Sequence, residues 1–287
     1  MITHWVLAAR LKTLPVAICP VLIGLTLTKH ATTYNASIAI ITLIAAVSIQ
    51  IATNFANDYL DFKKGADTQD RVGPKRMTQS GNISPKQIKT ATFGMFALAG
   101  ALGLYLASYG GWPIFIILIA SLICGYIYTG GPLPLAYIGG AECVVFLFFG
   151  PISVLGTIYL QTLTYTPQWL ALGCALGCIA SALLVVNNTR DIATDTIANK
   201  KTWAVRFGRT ASHIEYIIFI YTPIFLLDYS TKDTPIQIGC TLGLVVIALL
   251  LSKKFKHAQG TAFNKLLGFT SLYLILFTAI TIYLLGA

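Results

Sequence analysis

The sequence predicts an all-α, polytopic membrane protein with nine transmembrane helices, built as two four-helix repeats plus one. Three observations predict it. Of 287 residues, 56% are hydrophobic and only 10% are charged, too few charges to cover a soluble surface of this size. The apolar residues gather in long windows, and a hydrocarbon core of roughly 30 Å takes about 20 apolar residues per helical crossing. The basic residues, finally, fall almost entirely in alternate connections between those windows.

In chain order, the first window is 14–28. It lacks a short signal-like core with a cleavage site and is followed by many similar windows, so it is expected to be a retained helix. Windows 37–57, 90–108 and 112–129 complete the first half. In the second half, 138–160 carries Glu142 near its start, 168–189 is uncharged, and 212–229 contains Glu215 and Asp228, which suggests a tilted or partly interfacial helix. Windows 235–252 and 266–286 are again uncharged. The whole chain, 1–287, is expected to form a single domain. Its halves run over about 10–135 and 136–255, with 266–286 added after them.

Cytoplasmic connections retain Lys and Arg when a membrane protein inserts. Arg10 and Lys12 precede the first window, and seven basic residues from Lys63 to Lys89 surround the 2–3 connection. The 4–5 connection has none, the 6–7 connection holds five from Arg190 to Arg209, and the 8–9 connection holds four from Lys253 to Lys265. Only Lys29 and Lys232 fall on the other side, which predicts an N-in, C-out topology. Changing the helix count midway would scatter the charges over both faces.

The net charge of +10 is therefore largely a topology signal, and nucleic acid is excluded as a partner because the basic residues do not line one soluble face. Anionic lipid headgroups or an anionic substrate are the partners that fit. All six cysteines lie in apolar runs and are expected to be small buried hydrophobes. Cys174 and Cys178 share a helix face but have no His partner nearby, a poor zinc site. The four histidines show no pairing pattern.

Six of the ten acidic residues are Asp58, Asp61, Asp67, Asp70, Asp191 and Asp195, so two short, lysine- and arginine-rich segments hold most of the negative charge. Residues three, four and seven apart share a helix face. Gln50, Asn54, Asn57 or Asp58, and Asp61 make one such stripe. On the sixth helix and its extension, Ser181, Asn188, Asp191 and Asp195 make another. An apolar helix that turns polar along one face near the membrane surface aims that face at a cavity or another helix. The i, i+4 pair Asp191 and Asp195 is mildly repulsive unless a cation is bound.

Slid by 130 residues, Asn57, Asp58 and Asp61 fall on Asn187, Asn188 and Asp191, while Arg71 meets Lys201 and Arg76 meets Arg206. Helices 1–4 and 5–8 are then duplicated halves, each contributing one acidic helix end to a shared cavity. Carboxylate and amide oxygens are hard ligands suited to Mg²⁺, which takes its remaining ligands from water and phosphate. With flanking Lys and Arg, and apolar helices below, such a cavity would hold a lipid diphosphate as its magnesium complex.

The run Asn57-Asp58-Tyr59-Leu60-Asp61 with Gly65 and Asp67, and the later Asp191-x-x-x-Asp195, resemble the two aspartate-rich motifs of the UbiA-type intramembrane aromatic prenyltransferases. The resemblance extends over nearly the whole chain. Gly73-Pro74-Lys75-Arg76-Met77-Thr78-Gln79-Ser80-Gly81 and Arg10-Leu11-Lys12-Thr13-Leu14-Pro15 are similar to the branch that prenylates 1,4-dihydroxy-2-naphthoate. So are Asn199-Lys200-Lys201-Thr202 and Arg206-x-Gly208. Asp67 comes ten positions after Asn57, where the wider superfamily commonly has eight; this longer spacing is also similar to the naphthoate branch.

The resemblance implies transfer of a polyprenyl group from polyprenyl diphosphate to dihydroxynaphthoate with loss of carbon dioxide, giving a demethylmenaquinol. By the Lys and Arg count both acid-rich segments lie on the cytoplasmic side, so the site is expected there, in a bacterial inner membrane. Asn57, Asp58, Asp61, Asp191 and Asp195 would be magnesium ligands, directly or through water, with Asp67 as a further one. Asp61, Asp191, Asp195 and Tyr128 would be the catalytic set. Lys64, Arg71, Lys75, Arg76, Asn188, Lys201 and Arg206 would jointly serve the diphosphate and the acceptor carboxylate.

Tyr126 and Tyr128 end the fourth helix before the uncharged 4–5 connection, which can sit over the cavity. A tyrosine ring there either stabilises an allylic cation or belongs to the interfacial aromatic belt. Glu142 either orients the acceptor or snorkels to water. Two rival functions remain: the same chemistry on another ring, such as 4-hydroxybenzoate, and cation-coupled transport. Transport sites lie nearer the bilayer midplane than these acids do.

Overall fold

The computed structural model describes residues 2–29, 31–65, 72–231 and 234–286. Helices α1 (Ile2–Ala9) and α2 (Pro15–Thr28) are joined by a 3₁₀ turn, Leu11–Thr13, and bend by 56° at that joint. Then follow α3 (Ala36–Lys63), α4 (Pro85–Gly110), α5 (Trp112–Ile127) and the short α6 (Leu135–Ile138). The second half contains α7 (Ala141–Phe148), α8 (Pro151–Thr162), α9 (Leu170–Arg190), the short α10 (Ile192–Ile197), α11 (Trp203–Ser230) and α12 (Pro235–His257); α13 (Ala262–Gly286) is last. No strand occurs among the described residues.

Local chemistry sets the ends. Asn35 caps α3 by accepting the amides of Ser37 and Ile38. Ser84 and Gln87 form a reciprocal capping box at α4, with Pro85 at its first turn, and Thr202 and Thr234 cap α11 and α12. Such side chains satisfy amides that a helix start leaves without partners.

Every one of the nine expected windows falls on helix. Among the described residues seven helical stretches are long and apolar enough to cross a membrane, and the bent α1–α2 pair makes an eighth when counted as one span. Trp112–Ile127 is a shorter apolar helix. The chain is an integral membrane protein, with apolar side chains such as Ile116, Leu242, Leu249 and Leu272 exposed on its outer surface, where lipid is the solvent.

Three expectations need correction in detail. Window 138–160 is not one continuous helix: it breaks between α7 and α8 at Gly150, where a β-carbon would come within 2.5 Å of the Phe146 carbonyl and 2.6 Å of the Gly173 carbonyl. Window 212–229 is the apolar remainder of a longer helix kinked at Gly208, whose φ of 76° is left-handed and favours glycine. The second polar stripe does not ride on one helix either, because α9 ends at Arg190 and Asp191 is non-helical, with φ −95° and ψ 9°.

Helix α9 is the centre of the bundle. It is buried along most of its length and packs against α11, α7, α8, α13 and α2. Helix α3 lies mainly against α4 and α9 mainly against α11, while α2 and α8 meet. Close approach of α7 to α9 depends on Gly177, where a β-carbon would lie 2.5 Å from the Phe146 carbonyl.

Candidate active site

The C-terminal ends of α3, α5 and α9 come together with the α1–α2 joint and the start of α13 around the mouth of a cavity of about 620 Å³. Along α3 the lining runs from Thr42 to Asp61, about 28 Å at 1.5 Å per residue. The mouth is polar, lined by Asn57, Asp58, Asp61, Asn187, Asn188, Asp191 and Asp195 with Arg10, Lys12, Lys75, Arg76, Arg190 and Lys200. Its depth is apolar, lined by residues such as Val21, Leu106, Ile114, Leu118, Ile152 and Leu160.

The first stripe is as expected: Gln50, Asn54, Asn57, Asp58 and Asp61 are all buried on α3. Asn54 donates to the Ala9 carbonyl at 2.9 Å and to Thr13 Oγ1 at 3.1 Å, so it holds the α1–α2 joint. Asn57 Oδ1 accepts from Thr129 Oγ1. The Asp58 oxygens accept the amides of Met77 and Thr78, each at 3.0 Å, which folds the Gly73–Gly81 loop over the cavity. Each carboxylate oxygen has a second lone pair to offer.

Asp61 is engaged by three side chains. Arg76 Nη2 lies 3.0 Å from its Oδ2, the Tyr137 hydroxyl donates to its Oδ1 at 3.0 Å, and Lys200 Nζ lies 3.4 Å from the same Oδ1. Lys200 also reaches Asp195, at 3.7 Å. One ammonium therefore sits between an acid of each segment, and the two segments converge as expected. Lys200 is aimed there by a turn in which Asn199 takes a φ of 54°, a conformation asparagine tolerates, and the Lys200 amide donates to the Asp195 carbonyl at 2.8 Å.

Asp191 is clamped by Arg190, whose Nε and Nη2 donate to its two oxygens at 2.8 and 2.7 Å. The expected Asp191–Asp195 repulsion is thus already met by two cations of the chain itself, Arg190 and Lys200. Asn188 lines the mouth and donates to Glu142 Oε1 at 2.7 Å. Glu142 is buried and does not reach water, so of its two expected roles the snorkelling one is ruled out.

The other basic candidates separate by position. Lys75 and Arg76 line the mouth, whereas Lys64, Lys201 and Arg206 do not. Lys64 donates to the Thr129 carbonyl at 2.6 Å and stands over the Tyr137 ring at 4.5 Å. Partial burial pushes its ammonium below the ordinary lysine value, with Asp61 pulling the other way. Arg206 donates to the carbonyls of Lys201 and Ile138 at 3.0 and 2.9 Å, bracing the turn that carries Lys200. Asp67 and Arg71 lie outside the described residues.

Tyr128 lines the cavity, while Tyr126 packs against Phe93 and Phe96 on the outer side. Sequence reasoning missed Lys200, Arg190 and Tyr137 as site residues. Arg190 counts in the sequence only as a topology charge, Lys200 appears there only within the Asn199–Thr202 run, and Tyr137 belongs to α6, too short to register as a periodic element. Arg10 and Lys12 carried a signal in the Arg10–Pro15 stretch.

Among the described residues no three His, Cys, Asp or Glu side chains converge closely enough to enclose a metal by themselves. The donors present are carboxylate and amide oxygens already gathered around a cation, and Mg²⁺ needs only one or two carboxylates when phosphate and water supply the rest. That donor set fits magnesium.

Comparison with known proteins agrees with this geometry. A profile of the UbiA prenyltransferase family matches residues 17–273. The 1,4-dihydroxy-2-naphthoate octaprenyltransferase of Mycobacterium tuberculosis is 40% identical over 252 residues, covering 86% of this chain and 84% of that one. The Escherichia coli protein of the same name is 37% identical over 210 residues, 71% of this chain and 68% of that one. A UbiA homolog from Archaeoglobus fulgidus solved with GPP and Mg²⁺ superposes with a TM-score of 0.71 over 99% of this chain and 100% of its own, at 14% identity. A homolog from Aeropyrum pernix K1 gives 0.72 over 96% of this chain and 98% of its own, also at 14% identity.

Proposed function

The chain belongs to the UbiA prenyltransferase family, and on that premise we propose that it transfers a polyprenyl group from polyprenyl diphosphate to 1,4-dihydroxy-2-naphthoate. The prenyl carbon bonds to the ring carbon that bears the carboxylate, the carboxylate leaves as carbon dioxide, and diphosphate departs, giving a demethylmenaquinol. One observation carries the reading: acids of both segments meet around Lys200 at the polar mouth of a deep apolar cavity.

Asn57, Asp58, Asp61, Asp191 and Asp195 would hold magnesium, with Asp67 added by the family motif. Bound there, magnesium would neutralise charge building on the diphosphate as the allylic bond breaks. The chain's own cations do related work. Lys75, Arg76 and Lys200 offer donors to the diphosphate at the mouth, and Arg10 and Lys12 face it from the α1–α2 joint. Lys64 and Arg206 act from outside the cavity, through Thr129 and the Lys200 turn. The apolar depth takes the prenyl tail and keeps water from the cation, favouring coupling over hydrolysis. Tyr128 offers a ring face to that cation. Asn188, with its amide nitrogen committed to Glu142, presents its oxygen to the acceptor.

The same reading includes nine crossings, counting α5 as a short tilted one, and two duplicated halves. It places the N-terminus and the site on the cytoplasmic side of a bacterial inner membrane, with the C-terminus outside. The charge distribution supports this, because the basic connections surround the cavity mouth.

A competition assay tests the acceptor. Detergent-purified protein with Mg²⁺, a polyprenyl diphosphate and equimolar dihydroxynaphthoate and 4-hydroxybenzoate is expected to consume the naphthoate and release carbon dioxide. Prenylation of the benzoate instead would overturn the branch while leaving the family. Uptake into liposomes without any covalent product would favour a transporter.

A further inference from the structure

The last helix reaches the site through one side chain. Asn264, in the first turn of α13, accepts from Arg190 Nη1 through Oδ1 at 2.8 Å and donates from Nδ2 to the Val72 carbonyl at 3.0 Å. Arg190 in turn grips both oxygens of Asp191 and reaches Asn187 Oδ1 at 2.6 Å. On the other side, the loop that begins with Val72 is anchored by Asp58 through the amides of Met77 and Thr78. Hydrogen bonds thus link the first acid-rich segment to the second by way of the ninth helix.

We propose that Asn264 is a positioning residue, which fixes the spacing of the two acid-rich segments and so sets their affinity for a magnesium diphosphate. The proposal rests on the function given above. The chemistry at this position demands an amide: one planar group must accept from a guanidinium and donate to a backbone carbonyl at once. Aspartate lacks the donor and leucine lacks both functions.

The other bridge between the segments is different in kind. Lys200 sits on the acids themselves, so a bound cation and diphosphate compete with it. Asn264 stands one step back from the acids: among the described residues its side chain hydrogen-bonds to Arg190 and to the Val72 carbonyl, and not to a carboxylate. The ninth helix is further tied to the mouth by Ser271, whose hydroxyl donates to the Lys12 carbonyl at 2.8 Å, and by Leu267 in the cavity lining. It is therefore a strut of the site rather than an appendage to the repeats.

The test is thermal stabilisation of the detergent-purified full chain by Mg²⁺ in the presence of geranyl thiodiphosphate, a non-reactive analogue with sulfur at the bridging oxygen. Outer-shell substitutions commonly weaken metal binding by about 10- to 100-fold. Asn264→Leu should raise the half-saturating Mg²⁺ concentration by roughly that factor while still melting cooperatively. Asn264→Asp, which keeps the acceptor but loses the donor, should shift in the same direction. Wild-type half-saturation in either folded variant would overturn the proposal, as would a lower melting temperature with unchanged half-saturation, the mark of a purely structural role. A wild-type protein that Mg²⁺ and the analogue do not stabilise would instead overturn the reading of the site, and the proposal with it.

Discussion

Lys200 and Arg76 hold Asp61 between them, so they have two tasks: stabilising the empty bundle and supplying donors to a departing diphosphate. Breaking a buried pair by removing one partner costs about 3–5 kcal/mol, because a charge is stranded away from water. Arg76→Met should approach the low end of that range, since Asp61 keeps Lys200 and Tyr137. Turnover should fall by roughly 10²–10³, the usual loss for one preorganised donor. Melting curves and initial rates on the same preparation check both parts. A variant with normal rates would remove Arg76 from the diphosphate site.

Glu142 makes a finer prediction at the same scale. Glu142→Leu leaves the half-buried Asn188 amide nitrogen without the carboxylate at 2.7 Å and so frees the Asn188 side chain to turn at the mouth. The KM for the aromatic acceptor should rise more than the KM for the prenyl donor. Equal effects on both would mean that Asn188 does not face the acceptor.

These residues were not equally legible. Asp61 stood out because an ionised group in an apolar helix demands a partner, and Asn57 and Asn54 shared its face. Lys200 was marked only as part of the Asn199–Thr202 run, because a lysine in a basic connection is already accounted for by insertion topology; the folded turn at Asn199 brings it back to Asp195. Asn264 gave no sign at all, since a lone asparagine near a helix start looks like a cap, and both its partners are distant in sequence.

At the scale of elements, the site depends on how closely the opening helix of the second half can approach α9. Gly150, Gly173 and Gly177 permit that approach, with backbone atoms where any side chain would lie. Gly177→Val should therefore force the helices apart, costing about 1–3 kcal/mol. The Asn188–Glu142 contact, carried by the same two helices, should loosen as well. The check is a lower melting temperature together with a raised acceptor KM; an unaltered melting curve would mean that α7 and α9 do not pack as described.

The positions of the helices were readable from hydropathy because lipid imposes one length and one composition on each crossing. Their irregularities were less so. The α7–α8 break lies in unbroken apolar sequence, and only the Gly150-Pro151 pair marks it. The α9–α10 break at Asp191 has no such mark, because no Gly or Pro stands there.

At the scale of the whole molecule, the basic connections and the cavity mouth lie at one end of the bundle. At the opposite end Gln161 ties α8 to the start of α3 through Asn35 and Thr33. Reporter domains fused to the two termini should report opposite sides of the membrane, with the N-terminal one inside. Matching signals from both termini would contradict nine crossings.

That arrangement gives one molecule a polar mouth for an anionic headgroup and an apolar interior for its tail. The most direct test of the account is prenyl transfer to dihydroxynaphthoate by wild type, Asp61→Asn and Asp195→Asn, each titrated with Mg²⁺ after metal removal by a chelator. Convergence of the two segments on one magnesium diphosphate predicts saturable, magnesium-dependent turnover in the wild type. It also predicts loss of about 100-fold or more in each variant, although both remain folded and inserted. Wild-type rates in either variant, or turnover indifferent to Mg²⁺, would contradict it.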